Sequence, residues 1–422
     1  MRKALLPVLG CALIAAPALA AQVLGVGLVP QLGLLIFGAA VVAASFVLAW
    51  AAESAEADIS GGLAIAILAV IAVLPEYAVD LYFAYSAGHN SDYVQYAAAN
   101  MTGSNRLLLG LGWSAVVVVS LLVASRRAGT PVSTIVLDSR YRLELGFLLV
   151  ASLLALLVPA TGQIHLVFGL MMLALFIYYL VRVSGGEEEE TEHLVGPAAR
   201  IAALPARSRR PIIIAMFVGA AVTILLCAAP FAESLIGSGE ALGVDRFLLV
   251  QWLAPLASEA PEFIVALIFA IRGRAGMAIG MLISAKVNQW TLLVGSLPVA
   301  YLVGGGGTTM VLDVRQVEEI ILTATQTLMG VAILLALRFR LWAAIALFGL
   351  FAVQFAIPGT QGRLILSAIY LAISAVLFVV HRRQLWPTLS APFRRRPVAA
   401  PSQRHFGPEP RTFRSRNHAR SG

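Results

Sequence analysis

Runs of about twenty mainly apolar residues, long enough to cross a hydrocarbon core as a helix, recur near 5–28, 31–52, 61–87, 93–123, 144–160, 162–183, 211–236, 246–271, 275–303, 316–337, 339–357 and 363–381. In lipid each segment must satisfy its own backbone N–H and C=O groups, so these runs are predicted to be helices. Hydrophobic residues fill 59% of the 422 positions and charged residues 12%, and mean hydropathy is +0.87. Such values exclude a soluble enzyme or a disordered chain and predict an all-α polytopic membrane protein. The first run has two readings. Arg2-Lys3, the apolar stretch and Ala18-Leu19-Ala20-Ala21 fit either an extra transmembrane segment over 1–30 or a cleaved signal peptide.

A net charge of +8 would suggest nucleic acid for a soluble protein, but here the basic residues are confined to particular loops. They cluster at Arg126/Arg127/Arg140/Arg142, Arg200/Arg207/Arg209/Arg210, Arg272/Arg274, Arg338/Arg340 and in the tail from Arg382. With the amino terminus inside, every cluster falls on one side, while the loops around 160, 237–245 and 358–362 carry almost no Lys or Arg. This asymmetry orients both termini toward the cytoplasm. The acidic 53–58 stretch falls on the same side, and carboxylates weigh little in that rule. The chain reads as a multi-pass protein of a bacterial plasma membrane, with the lipid bilayer and transported cations as partners and no nucleic acid.

Two glutamates interrupt the apolar runs in matching context: Glu76 in Leu74-Pro75-Glu76-Tyr77 and Glu262 in Ala260-Pro261-Glu262-Phe263. A carboxylate at membrane depth costs at least about 2.5 kcal/mol, so its default reading is functional. On the topology above, the span with Glu76 runs outward and the span with Glu262 runs inward. The halves are therefore read as an inverted repeat of two five-helix halves plus flanking helices, 31–183 and 211–357, joined by a polar cytoplasmic loop over 184–210. An extra helix over 358–381 and a basic, disordered cytoplasmic tail over 382–422 complete the chain.

Pro75 and Pro261 lack a backbone donor and are predicted to break their helices, freeing the carbonyls of Ile71 and Ala257. Carbonyls beside carboxylates make an oxygen-only nest. That suits a hard cation such as calcium, which takes roughly six to eight oxygens. Cys11, Cys227 and His165 are single residues in separate apolar runs and read as packing residues, which leaves no thiolate or imidazole cluster for a softer metal. After each Pro-Glu element comes a helix with a polar face: Asn100 and Ser104 with Gly103 and Asn105, then Ser284 and Asn288 flanked by Lys286 and Gln289. These pairs are i,i+4 and share a helix side.

The two segments resemble the alpha repeats of the sodium/calcium exchangers in the calcium/cation antiporter superfamily, whose pattern is Gly-Thr-Ser-x-Pro-Glu followed by Gly-Asn-x-x-Gly-Ser-Asn. Pro75-Glu76 with Asn100 through Asn105, and Ser258-Glu259-Ala260-Pro261-Glu262 with Gly280 through Asn288, carry the likeness. The resemblance implies ten core helices, alternating access, no cofactor, and Glu76 and Glu262 as ligands of a transported calcium or other divalent cation. Ser258 and neighbouring hydroxyls and amides would complete sodium sites. This chain departs from the pattern at Ala72-Val73, which lack the hydroxyls, and at Glu259, which adds a carboxylate. Asp80, Arg106 and Lys286 add charge near the site, so the counter-ion is either sodium or protons. A competing class is a membrane-embedded hydrolase using Glu76 and Glu262 as acid and base. The run Glu187–Glu190 with Glu192 and His193 reads as a solvated loop.

Overall fold

A computed structural model describes residues 2–55, 57–58, 74–184, 194, 196–357 and 359–394. Helix α1 (Arg2–Leu24) precedes α2 (Pro30–Ala55), α3 (Leu74–Ala87), α4 (Val94–Leu107), α5 (Ser114–Ala128), α6 (Arg142–Ala155), α7 (Leu157–Thr161) and α8 (Leu166–Ser184). A short α9 (Gly196–Ala202) leads to α10 (Ala206–Leu242), α11 (Arg246–Ile271), α12 (Ala275–Asn288), α13 (Val294–Val303), α14 (Val314–Leu334), α15 (Leu341–Ala356), α16 (Thr360–Val380) and α17 (Arg382–Ser390). Among the described residues, 10 helical stretches are long and apolar enough to cross a membrane, and Leu341–Ala356 is a shorter apolar helix. The protein is an all-α polytopic membrane protein. Residues to Pro392 form one unit, and a second begins at Phe393.

The halves repeat each other element by element. The long helices α2 and α10 pack together, and each is followed by a Pro-Glu helix, α3 or α11. Then comes a polar-faced helix that passes through a π-helical turn, Leu108–Trp113 after α4 and Gln289–Leu293 after α12. Such turns widen a helix by one residue and recur at functional sites. Among the described residues, four three-residue strands tie the halves together. β1 (Thr134–Val136) pairs antiparallel with β4 (Arg338–Arg340), and β2 (Gln163–His165) pairs with β3 (Thr309–Val311). β1 and β4 lie in arginine-bearing loops, whereas β2 and β3 lie in loops that have almost none. Each strand pair therefore joins loops that share a side, as two inverted halves require.

Three details differ from the sequence reading. Helix α11 runs unbroken through Pro255 and Pro261. Proline removes one donor, but the surrounding helices hold the segment helical. The stretch 184–210 is not loop throughout, since it contains α9 and the first turn of α10. The tail is ordered at its start, where α17 packs under α6 with Arg142 Nη1 donating to Thr388 Oγ1 at 2.9 Å. Tyr178 donates to the Pro392 carbonyl at 2.6 Å, and Gly146 leaves no room for a Cβ against the Thr388 carbonyl. Ile71, Glu56, the 187–193 acidic tract and the tail beyond 394 lie outside the described residues.

Outside the bundle core, α1, α8 and α16 present large apolar side chains such as Leu13, Val167 and Val379, exposed by 75%, 67% and 66%. On a membrane protein these faces meet lipid. At the Arg-rich end, Asp58 accepts from Arg209 Nη2 at 2.6 Å and Nε at 2.7 Å, and from Arg210 Nε at 3.1 Å. The Arg209 hydrogen bond is the main reason that the Asp58 carboxyl is lowered to about 2.

Candidate functional site

Helices α2, α3 and α11 enclose a cavity of about 40 Å³ lined by Ser45, Ala49, Pro75, Glu76, Ser258, Glu259, Pro261 and Glu262. About 10–15 Å³ of such space holds one water, so the cavity has room for a small cation together with a few of its waters. The two Pro-Glu elements, remote in sequence, thus meet at one place. Glu76 and Glu259 are 4% and 1% exposed, and Gln289 joins them, its Nε2 donating to Glu76 Oε1 at 3.2 Å and to Glu259 Oε1 at 2.7 Å. Glu262 and Asp80 lie within electrostatic reach of Glu76.

Two of the hydroxyls are arranged to offer lone pairs. Ser45 donates to Val41 O at 2.7 Å, Ser104 to Met101 O at 3.2 Å and Ser258 to Ala254 O at 3.1 Å. For Ser45 and Ser258 the proton is used within its own helix, which leaves the oxygen as an acceptor, whereas Ser104 also reaches the Glu76 carboxylate, to which it can only donate. Ser104 lies beside Glu76, and Asn100 beside Asp80. Buried polar atoms without a hydrogen-bond partner concentrate here: both oxygens of Asp80, Oδ1 and Nδ2 of Asn100, Glu259 Oε2, Asn288 Oδ1 and Gln289 Oε1. Native interiors leave few such atoms unless an ion or water completes them. Among the described residues no three His, Cys, Asp or Glu side chains converge as a metal cage. A cation here would therefore take a mixed set of carboxylate, hydroxyl, amide and water oxygens, a set suited to calcium.

Two positive charges approach the site, and the structure separates their roles. Lys286 is fully buried. Its Nζ donates to the Asn105 carbonyl and, at 2.8 Å, to Asn105 Oδ1. Glu259 and Glu76 lie within its electrostatic reach. Arg106, read from sequence as tuning the site, turns away from the carboxylates and pairs with Glu319 at 2.5 Å. One step along a helix rotates a side chain by about 100°, which puts Asn105 and Arg106 on different faces.

Ser284 is a second correction. It donates to Glu144 at 3.1 Å and so accepts from Tyr179 Oη at 3.0 Å, which turns it toward α6 and α8 rather than the cavity. Asn288, one turn on, stays near the site, with Tyr77 Oη donating to its carbonyl at 3.3 Å. The Ala257 carbonyl lacks a donor from Pro261 by covalent structure, but α11 does not open there. Sequence reading missed Ser45, whose signal was a hydroxyl alone in an apolar run, and missed the bridging role of Gln289.

An inverted helical repeat that brings duplicated carboxylates to one buried cavity is the build of a secondary cation antiporter. Over residues 30–185 and 212–358 the sequence matches the sodium/calcium exchanger protein family. The chain belongs to that family, whose members are transporters rather than enzymes, and this sets aside the hydrolase reading. The crystal structure of the H+/Ca2+ exchanger CAX is 40% identical, spans 93% of this chain and 98% of its own, and superposes with a TM-score of 0.86. The Ca2+/H+ antiporter YfkE, 13% identical over 88% of this chain and 100% of its own, has a TM-score of 0.58. The sodium-calcium exchanger NCX_Mj, 18% identical over 78% and 98%, has 0.51. At these lower identities the likeness is one of fold alone. No curated protein matches.

Proposed function

We propose that this chain exchanges calcium for protons across the membrane by alternating access. Its cation site is built from Glu76, Glu259 and Glu262, with Ser45, Ser104, Ser258, Asn100, Asn105, Asn288 and Gln289 around them. The observation that carries the reading is the excess of buried carboxylates over buried positive charge around one cavity, Lys286 being the basic side chain nearest them. A dehydrated carboxylate cluster needs a compensating charge at every stage of the cycle. A divalent cation supplies it in one stage and protons in the other, which is an exchange. Protons are favoured over sodium because Ala72-Val73 supply no hydroxyls, because Lys286 already occupies the oxygens of Asn105, and because CAX, at 40% identity, is an H+/Ca2+ exchanger.

The halves 31–183 and 211–357 would run in opposite senses across the membrane, with both termini on the cytoplasmic side. Calcium uptake into proteoliposomes tests the reading. An imposed pH gradient without sodium should drive uptake, whereas a sodium gradient at fixed pH should not. Uptake driven by sodium alone would reassign the counter-ion, and no calcium movement under either gradient would remove calcium as cargo.

A further inference from the structure

A second buried charge cluster has no part in the exchange described above. Arg106 is 2% exposed, Glu319 3% and Glu318 5%. Besides its pairing with Glu319, the Arg106 guanidinium donates from Nη1 to Gln354 Oε1 at 2.9 Å and lies 5.0 Å from the Trp252 ring centre. Gln251 Nε2 donates to Glu319 Oε2 at 3.1 Å and to Thr102 Oγ1 at 3.3 Å. From α16, beyond the family match, Arg363 contacts Glu318 Oε2 through Nε and Nη2 at 2.9 Å each, and its Nη1 lies 3.7 Å from Glu319 Oε1.

The cluster adjoins the cation site along two helices. Gly103 of α4 packs on Gln251 of α11, and Gly112 packs on Phe263, so the two helices run in the same direction. On α11, Gln251, Pro255, Ser258, Glu259 and Glu262 form one stripe at helical spacing. Thr102 is level with Gln251, so Arg106, four residues on, stands about one turn, or roughly 5.4 Å, from the level of Glu259. Its neighbour Asn105 already holds Lys286. Glu259 Oε2 has no partner. A guanidinium stays charged and grips carboxylates through two donors. Released from Glu319, Arg106 would keep Gln354 as its side-chain acceptor and be free to swing one turn along toward the site carboxylates, where a tethered positive charge competes with the cargo.

We propose that Glu319 is a positioning residue, supported by Gln354 and Arg363, that holds Arg106 out of the cation site. This rests on the cavity carboxylates being the calcium site. A buried ion pair is weak evidence for stability, and specificity is the better-attested use. Here the specificity is that each guanidinium has its own carboxylate, Arg106 with Glu319 and Arg363 with Glu318, so neither is drawn to the carboxylates of α3 and α11.

The test is calcium uptake into proteoliposomes of the full chain, with the half-saturating calcium concentration and maximal rate measured separately. Glu319→Gln should raise the half-saturating concentration about tenfold, and Arg106→Gln combined with Glu319→Gln should bring it back to within about threefold of wild type. Equal impairment of the single and double variants would overturn the proposal. So would a rescue confined to protein yield or maximal rate with no change in the half-saturating calcium concentration, since relieving an unpaired buried charge restores stability on its own. Wild-type affinity in Glu319→Gln would overturn it as well. If Glu319→Gln does not give a monodisperse protein in detergent, Gln354→Leu carries the test, since it leaves no buried charge unpaired. It should raise the half-saturating concentration about threefold, and the rise should disappear in an Arg106→Gln background. No rise in Gln354→Leu would overturn the proposal. Absence of calcium uptake by the wild type would instead remove the cation-site reading beneath it.

Discussion

Two charge clusters are buried along one side of α11, and they differ in balance. Around Gln251 the charges cancel, with Arg106 and Arg363 set against Glu318 and Glu319. Around Glu259 they do not, since Glu76, Glu259 and Glu262 line a cavity and Lys286 is the basic residue within their reach. The first cluster is balanced in charge as folded, although Arg106 Nη2 and Gln354 Nε2 have no hydrogen-bond acceptor among the described residues. The second has oxygens without partners and a deficit of positive charge that a mobile cation or protons can fill. Burial alone therefore does not mark a transport site; burial with an unfilled charge deficit does.

The largest test of this contrast removes charge from the unbalanced cluster. Glu76→Gln or Glu262→Gln should lower calcium exchange about a hundredfold or more, since losing a charge-assisted ligand costs about 3 kcal/mol. Expression in membranes should stay near wild type, because the amide keeps the shape. Exchange at the wild-type rate in either variant would sink the shared site.

Glu259→Gln should have a smaller effect, about tenfold in rate at saturating proton gradient. Gln289 can still donate to the remaining oxygen, and two carboxylates stay in the cavity. The measurement that separates it from Glu76→Gln is the dependence of uptake on imposed pH difference, which should flatten in Glu259→Gln while calcium binding by scintillation proximity persists. Retention of the full pH dependence would take Glu259 out of proton coupling.

Ser284→Ala should change calcium transport less than about twofold, because its partners are Glu144 and Tyr179 and replacing one hydroxyl there costs only about 1 kcal/mol. A loss comparable with that of Glu76→Gln would return Ser284 to the cation path. The smallest effect belongs to Asp58 at the Arg-rich end. Its folded value is lowered to about 2 from 3.8, so the tie to Arg209 contributes fully above the unfolded value and fades as pH falls through the folded one. Asp58→Asn should therefore lower the midpoint of thermal unfolding in detergent slightly at pH 7, and the difference from wild type should shrink as pH approaches 2. A difference that grew on acidification would contradict this sign.

Much of this was legible in the chain. Apolar run length predicts helical spans, because a run of about twenty apolar residues satisfies its own backbone in lipid only as a helix, and the paired Pro-Glu elements with opposite orientation point to one site from two halves. Glu76, Glu259, Glu262 and Ser258 line the cavity, and Asn100, Ser104, Asn105 and Asn288 stand on the helices that abut it, as their i,i+4 spacing suggests. What spacing does not convey is rotation. Ser284 and Asn288 share a helix side within about 40°, yet one bonds Glu144 and the other lies near Tyr77. Arg106, adjacent to a site residue in sequence, belongs to a different cluster altogether. The unbroken course of α11 through Pro261 was likewise beyond local rules, since neighbouring helices supply the support that an isolated segment lacks.

By itself the sequence determined that this protein crosses the membrane many times, that its halves are inverted copies, and that paired carboxylates interrupt its apolar runs. These follow from solvent, since lipid penalises every exposed backbone dipole and buried charge, and the penalties are written residue by residue. Which charge meets which was decided only by the tertiary structure. Lys286 went to Asn105, Arg106 to Glu319 and Gln289 to both Glu76 and Glu259, because side-chain partners are set by the packing of helices far apart in the chain, and a turn of helix or a single glycine contact redirects them.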